Sequence, residues 1–109
     1  MAAPESLPAV VRAFFDALQS RFGSRLADVR LFGSYARGDA TEDSDVDVCV
    51  LIEDLTHREK VEAVELAAMV ALPTGLTLSA LVMSPPELQR LRDIEARLAL
   101  DIDREGLSV

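Results

Sequence analysis

The stretch from Asp45 to Ile52 constrains the fold more than any other part of the chain, because it alternates with the period of two that a β-strand requires. β-branched residues occupy every second position, at Val46, Val48, Val50 and Ile52. The positions between them are Asp45, Asp47, Cys49 and Leu51. This pattern predicts a strand with one wholly apolar face and a second face that begins with two acids.

Two elements are predicted before this strand. Apolar residues recur at helical spacing over residues 10–22, and Gly23 can end that helix. Alternation over residues 29–32 then predicts a short strand that leads directly into Gly33. Residues 33–44 are expected to form the loop that joins the two strands.

Three elements are predicted after the strand. Residues 57–72 read as a helix with apolar positions at Val61, Val64 and Ala68, stopped by Pro73. Residues 76–83 alternate as a third strand. A last helix is expected over residues 85–99, capped by Ser84. Its predicted buried stripe is Leu88, Leu91, Ile94 and Leu98.

The order of these elements predicts the fold class. Helices and strands follow one another as helix, strand, strand, helix, strand, helix, which favours an α+β fold with a small mixed sheet. Helices should pack on one face of that sheet, and the other face is left for a functional site. With 109 residues, about half of them apolar, the chain is expected to form a single domain over residues 1–109.

Composition narrows the set of partners and compartments. The net charge of −8 argues against binding to long nucleic acids, which relies on clustered Lys and Arg, but it leaves a mononucleotide possible. There is no long apolar run and no basic leader, so we expect no membrane association and a cytoplasmic location. The single cysteine, Cys49, excludes an internal disulfide and is expected to be a buried, inert thiol.

Asp45 and Asp47 are the first candidates for chemistry. Residues two apart on a strand share a face, with Cα atoms about 6.5–7 Å apart, so both carboxylates could reach one Mg²⁺. Two like charges side by side otherwise cost stability. The alternative is that both acids belong to a polar loop that leads into the strand.

The turn at Gly33 and Ser34 favours the first interpretation. It directly follows a predicted strand, where a missing Cβ lets a phosphate approach the backbone and a hydroxyl can donate to a phosphate oxygen. Arg37, in the same loop, could reach a phosphate, or it could pin the loop by bonding nearby carbonyls or Asp39. Neither the pair of acids nor the Gly33-Ser34 turn is strong evidence for a phosphate and Mg²⁺ site by itself, but the two together are stronger evidence.

Gly33-Ser34, ten further residues and then Asp45-Val46-Asp47 resemble the signature of the DNA polymerase β-type nucleotidyltransferase superfamily. The fuller string from Gly33 to Gly38, together with Ser44-Asp45-Val46-Asp47, is similar to minimal nucleotidyltransferases, small proteins that are paired with HEPN-domain toxins.

This resemblance implies a polymerase β-like palm core and a set of site roles. Gly33 and Ser34, with Arg37 as a secondary candidate, would bind the phosphates of ATP. Asp45 and Asp47 would be the catalytic carboxylates that hold Mg²⁺. The reaction implied is transfer of AMP to a partner protein, a HEPN toxin, with this chain as the antitoxin.

One departure from the family pattern puts catalysis in doubt. Active members place a third carboxylate on the strand after the intervening helix, yet residues 72–86 contain no Asp or Glu. The matching position is expected to be Ser79. A substitute acid from Glu53, Asp54 or a partner protein would be an alternative source.

Two other functions therefore remain open. The chain could be a catalytically weak or inactive antitoxin that neutralises a HEPN ribonuclease by binding alone. An aminoglycoside nucleotidyltransferase is the weaker alternative, because the short chain shows no pocket for that acceptor. A homo-oligomer or a hetero-oligomer would be compatible with each of these.

Overall fold

The computed structural model describes residues 6–41 and 43–109. The elements of the first half are α1 (Ser6–Phe22), β1 (Leu26–Phe32), α2 (Ser34–Arg37) and β2 (Val46–Ile52). Those of the second half are α3 (His57–Ala71), β3 (Leu78–Met83), α4 (Pro85–Asp93), α5 (Arg97–Glu105) and β4 (Leu107–Ser108). The predicted α+β class is confirmed.

The strands form one mixed sheet in the order β3-β2-β1-β4. β1 and β2 are antiparallel, whereas β2 and β3 are parallel and are joined through α3. The two-residue strand β4 pairs antiparallel with β1 and adds a fourth strand to the three predicted. Its shortness explains why alternation in the sequence did not reveal it.

The main core lies between the sheet and the two long helices α1 and α3. The apolar face of β2 is fully buried there, as predicted, with Val46, Val48, Val50 and Ile52 all inaccessible to solvent. The expected face of α1 is also buried, at Val10, Val11, Phe14, Leu18 and Phe22. Because both patterns have the correct period, they fix which side of each element faces inward.

The buried face of α3 differs from the prediction. Ala63, Ala67 and Ala71 are the buried residues of α3, while Val61 and Val64 are each 45% exposed. Alanine side chains let a helix approach a sheet closely, and the larger valines fit only on the outer side. Apolar spacing alone could not distinguish these two stripes, since both recur with helical period.

The last helix predicted is in fact two helices. α4 ends at Asp93 and α5 begins at Arg97. Between them, Glu95 has a left-handed φ of 54°. Ile94, expected in the buried stripe, is 74% exposed at this break. A left-handed residue cannot continue a right-handed helix, so the chain turns back on itself.

This reversal gives the sheet a second, smaller core on its other face. Its buried members are Cys49, Met83, Leu88, Ala99 and Ile102. The long helices thus pack on one face, as predicted, while α4 and α5 cover part of the face that was expected to be left for a site. The rest of that face carries Asp47.

Candidate active site

Asp45 and Asp47 stand where β2 begins. Asp45 immediately precedes the strand and is exposed, and Asp47 is its second residue and is half-buried. The register of the sheet places Phe32 of β1 opposite Asp47 on one side and Ser79 of β3 beside it on the other. Asp47 therefore lies between its two neighbouring strands, on the face opposite the main core.

Gly33 lies directly against the Asp47 carboxylate. A Cβ on Gly33 would lie 3.2 Å from the carboxyl carbon of Asp47 and closer still to one of its oxygens. Gly33 also has φ 78° and ψ −156°, a conformation that is essentially restricted to glycine. The structure therefore brings the predicted small-residue turn and the predicted acid into contact, and only glycine fits between them.

Backbone hydrogen bonds close the loop that follows Gly33. The carbonyl of Ser34 accepts from the N–H groups of Gly38 and Asp39, at 2.9 and 3.0 Å, and the carbonyl of Gly33 accepts from Arg37 at 3.0 Å. Gly38 then ends α2 in the left-handed conformation. These bonds fold residues 33–39 into one tight turn.

The electrostatics of this edge favour a bound cation. Partial burial raises the pKa of Asp47, and the charge of Asp45 raises it further, while Arg37 opposes both effects. Ionisation of Asp47 is therefore less favourable in the protein alone than in water, and a divalent cation would offset that cost.

Arg37 is tied to two carboxylates. Its Nε donates to Asp39 at 3.2 Å, and its Nη1 donates to both oxygens of Glu105, at 2.9 and 3.1 Å. Of the two roles left open by the sequence, pinning of the loop is therefore observed. Contact with a phosphate remains a prediction.

Glu105 is the residue near this site that the sequence analysis missed. It lies 68 positions from Arg37 in the chain. No local spacing signals such a pair, because the contact depends on how α5 returns to the sheet.

Ser79 is the residue that the sequence predicts at the position of the missing third carboxylate. It pairs with Asp47 across β2 and β3, and its side chain is exposed. Within residues 6–41 and 43–109, no group of three or more His, Cys, Asp or Glu side chains could hold a metal ion. The donors fit a Mg²⁺ that takes two protein carboxylates and completes its coordination with phosphate oxygens and water.

Comparison with known proteins gives the class. The family model described as nucleotidyltransferase domain matches residues 11–103, so the chain belongs to that family of enzymes. Among its relatives is protein adenylyltransferase MntA of Thermococcus cleftensis. The two are 34% identical over 92 residues, which cover 83% of this chain and 91% of the relative. The predicted family is therefore confirmed.

Solved structures agree on the fold. One, described provisionally as a minimal nucleotidyltransferase, superposes with a TM-score of 0.61 at 29% identity and covers 96% of this chain and 94% of its own. Another, a toxin–antitoxin crystal structure with AMP-PNP, has a TM-score of 0.54 at 24% identity, covering 87% of this chain and 68% of that one. At 24% identity, the similarity to the second structure is evidence for the fold alone.

None of the helices in the described part of the chain has the combination of length and apolarity that crossing a membrane requires.

Proposed function

We propose that this chain is a Mg²⁺-dependent nucleotidyltransferase that transfers AMP from ATP to a side-chain hydroxyl of a partner protein, with release of pyrophosphate, and that it acts in the cytoplasm as the antitoxin of a HEPN toxin. The observation that carries this proposal is the contact of Gly33 with Asp47, at the strand edge where Asp45 and Asp47 stand together. A glycine turn against paired acids offers backbone to a phosphate and oxygen ligands to its cation.

Each residue has a stated role in this proposal. Gly33 and Ser34 bind the outer phosphates, the first through its backbone and the second through its hydroxyl. Asp45 and Asp47 hold Mg²⁺, which when bound neutralises negative charge on the phosphates and activates the acceptor oxygen. Arg37 assists as a further cation near the triphosphate. These roles orient the nucleotide at the edge of β2.

The relatives support the nucleotide and the acceptor. A relative that covers most of the chain is named as a protein adenylyltransferase, which supports AMP as the transferred group and a protein as the acceptor. A toxin–antitoxin crystal structure with AMP-PNP shares the fold of this chain, which is compatible with ATP as the donor and a toxin as the partner. The acidic surface, with a net charge of −8, suits a basic protein partner better than a nucleic acid.

The test is incubation of the purified protein with ATP, Mg²⁺ and a purified HEPN protein encoded in the same genome. We expect the partner to gain the mass of one or more AMP groups. Asp45→Asn and Asp47→Asn should each abolish that gain. The matched control is Asp43→Asn, which removes the same charge from an exposed position of the same loop. A mass gain that persists in the Asp45 and Asp47 variants would contradict the proposed site.

A second function, neutralisation by binding alone, is favoured by one observation. Ser79 occupies the position beside Asp47 where the third carboxylate of the superfamily would stand, so the site is poorly equipped to deprotonate an acceptor. If binding alone neutralises the toxin, the double variant Asp45→Asn/Asp47→Asn will still protect cells that express the toxin. Loss of protection in the double variant, with complex formation intact, would exclude this second function.

A further inference from the structure

Glu105 links the C-terminal region to the loop of the candidate active site. Its carboxylate accepts two hydrogen bonds from the same nitrogen of Arg37, and only 16% of its side chain is exposed. Charge-assisted bonds of this kind are stronger than bonds between neutral groups. Glu105 therefore restrains a side chain that belongs to the loop between Gly33 and the acids.

The position of Glu105 is itself fixed by the fold. It is the last residue of α5, whose Ala99 and Ile102 are completely buried in the second core. The next residue, Gly106, donates its N–H to the carbonyl of Ile102 at 2.9 Å. A Cβ on Gly106 would lie 3.1 Å from the side chain of Arg30 on β1, so the backbone passes close to the sheet there.

The strand that follows completes this anchorage. In β4, Leu107 pairs with Leu31 of β1, and the N–H of Val109 donates to the carbonyl of Val29 at 3.0 Å. β1 is also the strand that leads into Gly33. Glu105 and the phosphate-binding turn are thus carried by directly connected parts of the same sheet, which favours a fixed geometry between them.

We infer that Glu105 is a positioning residue for nucleotide binding: it holds the Arg37 guanidinium so that Arg37 faces the triphosphate. Within the part of the chain that the structure describes, the bonds of Arg37 use Nε and Nη1 and leave Nη2 for a further acceptor. Glu105 does not touch the nucleotide and acts through Arg37. This inference rests on the proposed function, since it assumes that ATP binds at Gly33 and Ser34.

If Glu105 positions Arg37, neutralising Glu105 should change the affinity for ATP in the direction opposite to that expected from net charge alone. The chain carries −8, so removal of one acid anywhere should slightly favour binding of a polyanion such as ATP. If Glu105 orients Arg37, its neutralisation should instead weaken binding. A bystander acid and a positioning acid are therefore distinguished by the direction of the change.

The experiment measures the affinity for ATP in the presence of Mg²⁺ by calorimetry. Glu105→Gln should bind about fivefold more weakly than wild type, as expected for a partly exposed ion pair. Glu105→Asp, which keeps the charge, should recover part of the loss. The matched control is Asp101→Asn on the same helix, whose partner is the largely exposed Arg97; its affinity should be unchanged or slightly tighter.

A double variant tests whether Glu105 acts through Arg37. Arg37→Gln should weaken ATP binding, and Arg37→Gln/Glu105→Gln should bind no more weakly than Arg37→Gln alone, because the two residues form one unit. In the absence of nucleotide, hydrogen exchange at the N–H groups of Gly38 and Asp39 should be faster in Glu105→Gln. Thermal unfolding of every variant establishes that each one is folded.

Two failures can be told apart. If wild type binds ATP and Glu105→Gln binds it equally well or more tightly, the positioning role is wrong and the proposed function stands. Additive losses in the double variant would overturn the positioning role in the same way. If wild type does not bind ATP at all, the proposed function is wrong and the inference falls with it.

Discussion

The face of the sheet that carries Asp47 is divided into two halves with opposite properties. In the covered half, Cys49 lies beneath α4 and α5 and packs with Leu88 and Ile102. In the open half, Asp47 lies near the beginning of β2 and Ser79 near the beginning of β3. Ser79 is exposed and Asp47 is half-buried. Cys49 follows Asp47 by only two residues. The end of the helical cover, rather than any change in the strand, separates the stabilising part of this face from the chemical part.

Two carboxylates near these halves show the same contrast. On the exposed side of α5, the helix that covers one half, the hydrogen-bonded guanidinium of Arg92 lowers the pKa of Asp103. In the open half, partial burial and the neighbouring Asp45 raise the pKa of Asp47. The fold thus favours the charged form of Asp103 and disfavours the charged form of Asp47, which a bound cation would favour. Paired acids of this second kind are typical of functional sites.

The largest effect is expected in the covered half. Leu88→Ala should lower the free energy of unfolding by about 2–5 kcal/mol, because it leaves a cavity in a site that is 1% exposed. Urea denaturation measures this loss. Ile94→Ala, at the exposed break between α4 and α5, should change stability by less than about 0.5 kcal/mol. Equal effects of the two variants would show that α4 and α5 do not cover the sheet as described.

The boundary between the halves is tested at two glycines. Gly33→Ala should destabilise the protein by about 1–3 kcal/mol through backbone strain, with an added clash against Asp47, and should also weaken ATP binding. Gly38→Ala is the comparison variant: with φ 85° and ψ 13° it lies in the left-handed helical region, which costs alanine about 1–2 kcal/mol, and nothing lies within 4 Å of its Cβ. If both variants unfold at the same urea concentration, the contact between Gly33 and Asp47 is not as close as described.

The smallest expected effects on stability are those of Asp103→Asn and Asp47→Asn, and they should have opposite signs. Asp103→Asn should destabilise the protein at pH 7, by less than about 1 kcal/mol given its exposure. A lowered pKa adds stability above the unfolded value of 3.8, and that stability is lost as pH falls through the folded pKa. The difference between wild type and variant should therefore shrink on acidification.

Asp47→Asn should slightly stabilise the metal-free protein at pH 7, again by less than about 1 kcal/mol. A raised pKa means that stability is lost as pH rises from the unfolded value of 3.8 through the folded pKa, so the advantage of the variant should vanish below pH 3.8. Unfolding in EDTA between pH 3 and 7 measures both variants. A shift in the same direction for Asp47→Asn and Asp103→Asn would remove the contrast between the halves.

Much of the candidate site could be predicted because it is local in sequence. The period of two predicted that Asp45 and Asp47 share a face, and the glycine at the end of β1 predicted a turn. The position of Ser79 beside Asp47 followed from counting along an alternating strand, and the sheet register agrees. The roles of these residues in binding and catalysis stay predictions that the proposed experiments address.

Other features could not be read from local patterns. Cys49 was expected to be a buried, inert thiol, and burial does raise its pKa to about 11, but the helices that bury it were unknown. The inner face of α3 was predicted wrongly, since valines and alanines both recur with helical period and only the distance to the sheet selects between them. The break at Glu95 and the short strand β4 carry almost no signal in the sequence.

The sequence by itself determined the α+β class, the two faces of β2 and the turn at Gly33, because each follows from the dihedral preferences and spacing of neighbouring residues. The contact of Gly33 with Asp47 depends on the pairing of β1 with β2. Only the tertiary structure decided which half of the second face is open, which face of α3 is buried, and that Glu105 holds Arg37. Those outcomes depend on how distant segments pack against one another, and packing is set by shape and volume across the whole core.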